Sequence, residues 1–190
     1  MYNPGRIMLG NLRALFGVIF DIALLRRGPE SLPASTALMA GAVVFNLVVY
    51  ALMTATMPNA PRNWPLQLIV GTLVTLLWFD LAFRITQKRE RFAQTITALF
   101  GVSALFLPAL LPMASALLPY METHDPQVPP PFALLILTAL IAVWMFIVQV
   151  RIVRAAFEWP FVVSIAFLFG QNIAGAVVFW MLFGAPEKPA

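Results

Sequence analysis

Cysteine is absent from the 190 residues, which excludes a disulfide framework, a thiol nucleophile and a thiolate metal site. Charge is scarce too: only 11% of the residues are Asp, Glu, Lys or Arg, and there is a single histidine. No phosphate loop, nucleophile elbow, paired metal-binding histidines or dinucleotide glycine pattern occurs. An enzyme would have to act almost without familiar catalytic groups, so the expectation is a nonenzymatic protein with no catalytic residue, cofactor or metal. No short apolar core with a small-residue cleavage site opens the chain, and the first span itself is expected to direct insertion.

What is present is hydrophobic: 61% of the residues, with 16 Phe and 16 Pro. Five runs, 31–61, 63–79, 92–121, 126–150 and 159–186, carry no charge at all. A soluble domain of this size has too little core to hide five such runs, whereas a helix of about 20 apolar residues crosses a bilayer. The predicted fold is therefore all-α, a polytopic transmembrane helical bundle with five spans near 36–56, 65–84, 93–112, 132–152 and 160–183. These occupy a domain over 31–185, preceded by a cytoplasmic or interfacial segment, 1–30, and followed by a short external tail, 186–190.

The basic residues orient the spans. Arg6, Arg13, Arg26, Arg27, Arg84, Lys88, Arg89, Arg91, Arg151 and Arg154 fall on one side, and only Arg62 and Lys188 on the other. Under the positive-inside rule the N-terminus is cytoplasmic and the C-terminus periplasmic or external, at a bacterial inner membrane. The net charge of +4 then reflects topology, and no nucleic-acid partner is expected. Trp64, Tyr120 and Trp180 fall at the predicted outer boundary and Trp159 at the inner one, where amphipathic rings prefer to lie. The prolines of the loop "PYMETHDPQVPPP" are expected to end the third span.

Ahead of the first span, Arg6, Gly10, Arg13, Gly17 and Asp21 recur at spacings of three and four, with Ile7, Leu15, Phe16, Ile19, Phe20 and Ile22 on other faces. That pattern predicts an amphipathic helix in the cytoplasmic interface. A sixth span over about 7–25 is the alternative, and it would put Arg13 and Asp21 in hydrocarbon. Gly28 and Pro29 then break the helix, and Ser35 can cap the first span.

Polar residues inside the spans are the candidate site. Asp80 lies roughly 7 Å from the midpoint of its span toward the cytoplasm at 1.5 Å per residue. Arg84, four residues on, can form an intrahelical ion pair and snorkel to the interface. A pair with Arg151 or Arg154 and a proton or cation site are the alternatives. Asn46 marks the midpoint of the first span, and Gln171 and Asn172 that of the fifth, where their amides can hydrogen-bond if the two helices touch. Stripes of small residues, Ala37 with Gly41 and Ala166, Gly170, Ala174, allow close helix approach and homo-oligomers. Glu122, His124 and Asp125 are expected to be a solvated turn, and Pro108 and Pro112 to bend the third span.

The stretches "RERFAQTITALFGVSALFLPALLP" and "VWMFIVQVRIVRAAFEWPFVVSIAFLF" resemble the Yip-domain family of Rab-interacting-type membrane proteins, in its bacterial branch. The resemblance covers about residues 30–185 and implies five spans with a cytoplasmic N-terminus. It also implies a membrane-organising or partner-recruiting role and supplies no catalytic residues. The functional expectation is an accessory or scaffolding inner-membrane protein whose partners are membrane lipids and other membrane proteins. A small-solute or proton-coupled transporter or channel using Asp80, Asn46, Gln171 and Asn172 is the alternative.

Overall fold

A computed structural model describes residues 4–57, 60, 62–123 and 129–184. Among them six α-helices form and no strand does: α1 Pro4–Ala23, α2 Thr36–Ala55, α3 Trp64–Ile85, α4 Phe92–Thr123, α5 Phe132–Phe157 and α6 Phe161–Phe183. The last five are long and apolar enough to cross a membrane. The chain is a multi-pass integral membrane protein, and the five-span bundle expected from the charge-free runs is what forms.

The helix ends follow from local chemistry. Ser35 caps α2, its hydroxyl accepting a hydrogen bond from the Leu38 amide at 3.3 Å. Pro65 sits in the first turn of α3, where its missing N–H costs nothing. Residues with positive φ close four of the C-termini. Leu25 (φ 61°) and Gln87 (φ 57°) end α1 and α3, each with a bond from the residue after it back to the carbonyl five positions earlier, Arg26 to Asp21 and Lys88 to Phe83. Glu158 (φ 59°) ends α5 and Gly184 (φ 74°) ends α6.

The spans form a ring. In spatial order α2, α4, α5, α6 and α3 each pack on the next, and α3 closes back on α2. The chain reverses at every connection, so the start of α2, α4 and α6 and the end of α3 and α5 share one end of the ring. Arg84, Lys88, Arg89, Arg91, Arg151 and Arg154 gather there, and it is called the basic end below.

Beside the ring, α1 packs on α4 and α5. Ile19, Ile22 and Ala23 are buried in the core, and the Trp144 indole N–H donates to the Ala23 carbonyl at 2.9 Å. Gly101 of α4 makes this possible, since a Cβ there would come within 2.9 Å of the Ile19 Cδ1. The amphipathic helix predicted before the first span thus spends its C-terminal turns on the protein itself, and Phe16 and Phe20 remain exposed. Its Asp21 pairs with Arg27 at 3.1 Å.

One element runs past its predicted end. The sequence predicts an end to the third span near residue 112, but α4 continues to Thr123 with Pro108, Pro112 and Pro119 inside it. Each proline deletes one intrahelical bond without forcing a stop. Pro108 and Pro112 are four apart on one exposed face, so both missing donors fall on the same side of the helix and the opposite side keeps its ladder.

Candidate functional site

At the basic end the ring is filled by aromatic side chains. Phe157 lies with its ring centroid 4.2 Å from that of Phe83, 4.3 Å from Trp159, 5.6 Å from Phe167 and 6.4 Å from Phe79. Phe79, Phe83 and Phe157 are each at most 2% exposed. A clamp of charges lies over this plug. The Lys88 ammonium donates to the Phe157 carbonyl at 2.9 Å and to Glu158 at 2.7 Å. Arg91 donates to the Ala155 carbonyl at 3.1 Å and to Glu158 at 2.8 Å. Two cations therefore satisfy carbonyls that the last turn of α5 leaves open, at the negative end of its dipole. The hydrogen bond from Lys88, and then that from Arg91, hold the Glu158 carboxyl below its ordinary value near 4.5.

Away from the plug the ring is hollow. A cavity of about 680 Å³ runs from Phe79, Leu99 and Leu168 near the basic end to Met57, Ala60, Trp64 and Leu118 toward the other. Its volume is that of a small-molecule site. The lining follows helical stripes: Asn46, Tyr50 and Thr54 on α2, with Met57 just past its end; Gln67, Gly71, Thr72, Thr75 and Phe79 on α3. Eleven lining side chains are polar and uncharged, and none is charged.

The polar groups concentrate at one height. Counted from the basic end of each helix, Asn46 is ten residues past Thr36 and Thr75 ten before Ile85; Ser103 is eleven past Phe92 and Gln149 eight before Phe157; Gln171 and Asn172 are ten and eleven past Phe161. At 1.5 Å per residue all five helices place a polar group roughly 12 to 17 Å in, close to the middle of a hydrocarbon layer about 30 Å thick. This girdle is not self-satisfied. The Asn46 amide nitrogen donates across to the Phe100 carbonyl at 3.3 Å and Gln171 to the Thr75 hydroxyl at 3.1 Å, while Asn172 donates to the Leu168 carbonyl of its own helix at 2.8 Å. These bonds use amide N–H groups, and among the described residues no protein donor reaches the three amide oxygens. Above the girdle Thr54, 6% exposed, has a hydroxyl with no partner among the described residues.

The predicted site residues divide into two places. Asn46, Gln171 and Asn172 do share one space, but the condition for a contact between them across α2 and α6 is not met: α2 and α6 are not neighbours in the ring, Asn46 and Gln171 bond to the helix beside them and Asn172 to its own. Asp80 is not in that space. Its carboxylate takes Arg84 at 2.7 Å on its own helix and Arg89 at 3.6 Å from the α3–α4 connection, so it is anchored at the basic end. The alternative partners are elsewhere. Arg151 is exposed without an ion pair among the described residues, and the Arg154 guanidinium stands 6.0 Å from the centre of the Phe161 ring.

Of the small-residue stripes, Gly170 meets Trp78 of α3, where a Cβ would lie 3.1 Å from the indole, whereas Gly41 faces open space. The turn holding His124 and Asp125, and the tail 186–190, lie outside the described residues.

Sequence reasoning missed Tyr50, Thr54, Gln67, Thr72, Thr75, Ser103, Ser115 and Gln149. The available signal was polar residues recurring three or four apart within otherwise apolar spans, as in Asn46, Tyr50, Thr54 and in Thr72, Thr75. Comparison with known protein families, with curated proteins and with solved structures finds no match to this chain.

Proposed function

We propose that this integral membrane protein binds an uncharged, hydrogen-bonding small molecule in the cavity between its spans and conducts it across the membrane. The observation that carries this reading is a girdle of uncharged polar side chains, one or more from every helix of the ring, around a hollow of about 680 Å³. Polar groups at this depth are costly when left without partners, and they mark solute pathways. A charged solute would meet no opposite charge in the cavity, and a hydrocarbon would leave the girdle unpaired. The reading replaces a proton relay through Asp80, which two arginines hold outside the cavity.

The basic end is assigned to the cytoplasm of a bacterial inner membrane by its excess of arginine and lysine. The cavity then reaches toward the outer face and the aromatic plug closes it from within. The test is flux into proteoliposomes loaded with the purified protein, using small uncharged amides and polyols beside sodium, potassium and glutamate. Neutral-solute uptake above that of empty liposomes, lost in Asn46→Leu combined with Gln171→Leu, is the expected outcome. No neutral uptake, or uptake unchanged in the double variant, rejects it.

A membrane-organising role is the second reading, favoured by the exposed Phe16 and Phe20 of α1 beside the basic end. Each basic residue near an anionic leaflet contributes roughly 1 kcal/mol of attraction. Replacing Arg13, Arg26 and Arg27 by Gln and measuring sedimentation with anionic vesicles in detergent-free nanodiscs separates it: unchanged association removes the mechanism.

A further inference from the structure

The chemistry of the girdle narrows the ligand further, and this step rests on the solute-binding reading above. We infer that the cavity takes an uncharged polyol, a molecule carrying several neighbouring hydroxyl groups, read chiefly by Gln149 and Asn172. Gln149 forms no hydrogen bond among the described residues although it is half-buried, and it is the one side chain α5 contributes to the cavity. Its amide therefore presents both a donor and an acceptor. Asn172 spends its N–H on the Leu168 carbonyl and presents an acceptor.

A ligand that meets such a set must itself offer both senses of hydrogen bond at several points, which hydroxyl groups do and ethers, ketones or tertiary amines do not. An apolar guest would leave the free amide groups of Gln149 and Asn172 without a partner, so it is disfavoured by both together. Tyr50 and Trp64 on the same wall give flat, amphipathic faces for the C–H side of a polyol.

The hydroxyl-rich group can belong to a free polyol or to the neutral sugar headgroup of a lipid, and the experiment separates the two. The full-length protein in nanodiscs is titrated calorimetrically with glycerol, mannitol and glucose. In parallel, nanodiscs are prepared with and without a monoglucosyl diacylglycerol, and the shift in unfolding temperature is read. Binding of a free polyol, or a stabilising shift with the glycolipid only, each weakened at least tenfold or abolished by Gln149→Leu and by Asn172→Leu, supports the inference and names the source. Leucine lowers the cost of inserting either helix, and unchanged helicity and gel-filtration profile confirm that the variants are folded. Arg151→Gln, outside the cavity, is the control and keeps wild-type binding.

Binding of small amides or ions with no response to any polyol overturns this inference and leaves neutral-solute binding standing or falling on the flux assay. Polyol binding that survives both leucine variants overturns the assignment of the readers. No binding by any probe overturns both.

Discussion

Phe157 is the side chain on which closure of the basic end depends most. It is 2% exposed and touches four aromatic rings, Phe79, Phe83, Trp159 and Phe167. Truncation to alanine leaves a void in the middle of that cluster, and the surrounding rings belong to α3, α6 and the short turn before α6, so no single helix can move to fill it. Phe→Ala at a sealed core position costs about 3 to 5 kcal/mol. Phe157→Leu restores most of the volume and removes the ring contacts. Aromatic pairs contribute about 0.5 to 1.5 kcal/mol each beyond their area, and pairs that share one ring do not add fully, so roughly 2 kcal/mol is expected. Equilibrium unfolding in mixed micelles gives both numbers. The same void lies beneath the cavity floor formed by Phe79, so proteoliposomes with Phe157→Ala should pass neutral solute faster than wild type, and Phe157→Leu should not. A loss below 1 kcal/mol for alanine, or an alanine variant no leakier than the leucine one, would refute the plug.

Three further outcomes follow from the same structure. The Glu158 carboxyl is held below its ordinary value near 4.5 by Lys88 and Arg91, so its contribution is complete above that value and is lost as pH falls through the lowered one. A thermal midpoint followed from pH 7 to pH 3 should show an acid-side fall in wild type that is smaller in Glu158→Gln. Asp80→Asn removes exposed pairs with Arg84 and Arg89, so stability should change by no more than about 1 kcal/mol, with neutral-solute flux intact; loss of flux would return Asp80 to the pathway. Gly101→Val puts atoms where Ile19 packs at 2.9 Å from the nearest Cβ position, and should lift the end of α1, read as faster proteolysis between residues 13 and 27 with the spans still protected.

Much of the architecture was legible in the residues. Charge-free runs and the placement of arginine gave five spans and their alternation, because the bilayer requires length and apolarity and little else. Ser35 announced the cap of α2. The end of α4 was not legible: proline is a strong stop signal in water, and its cost falls when the lost bonds lie on one exposed face. Nor did the pairing of Asn46 follow from its depth, since depth fixes height along a helix and says nothing of its order around a ring. Asp80 drew attention as the one acid within a span, yet it sits where the nearest arginines are on its own helix and the next turn. The polar lining of the cavity was spread over five helices as single Ser, Thr, Gln or Tyr residues, each ordinary by itself. Only the helix arrangement turns them into one surface.

Each of the three connections at the basic end carries one non-glycine residue in the left-handed conformation, Leu25, Gln87 or Glu158. Each such residue is disfavoured by roughly 1 to 2 kcal/mol, so the neighbouring contacts must fix these corners firmly, as the bridge from Lys88 to α5 does. Spans pinned in this way have a natural pivot at the arginine-lined face and their greatest travel at the far rim. A lean of 5° about such a pivot displaces a point 35 Å away by roughly 3 Å, taking 23 residues of helix at 1.5 Å each. A displacement of that order at the far rim requires no change of backbone conformation at any of the three corners.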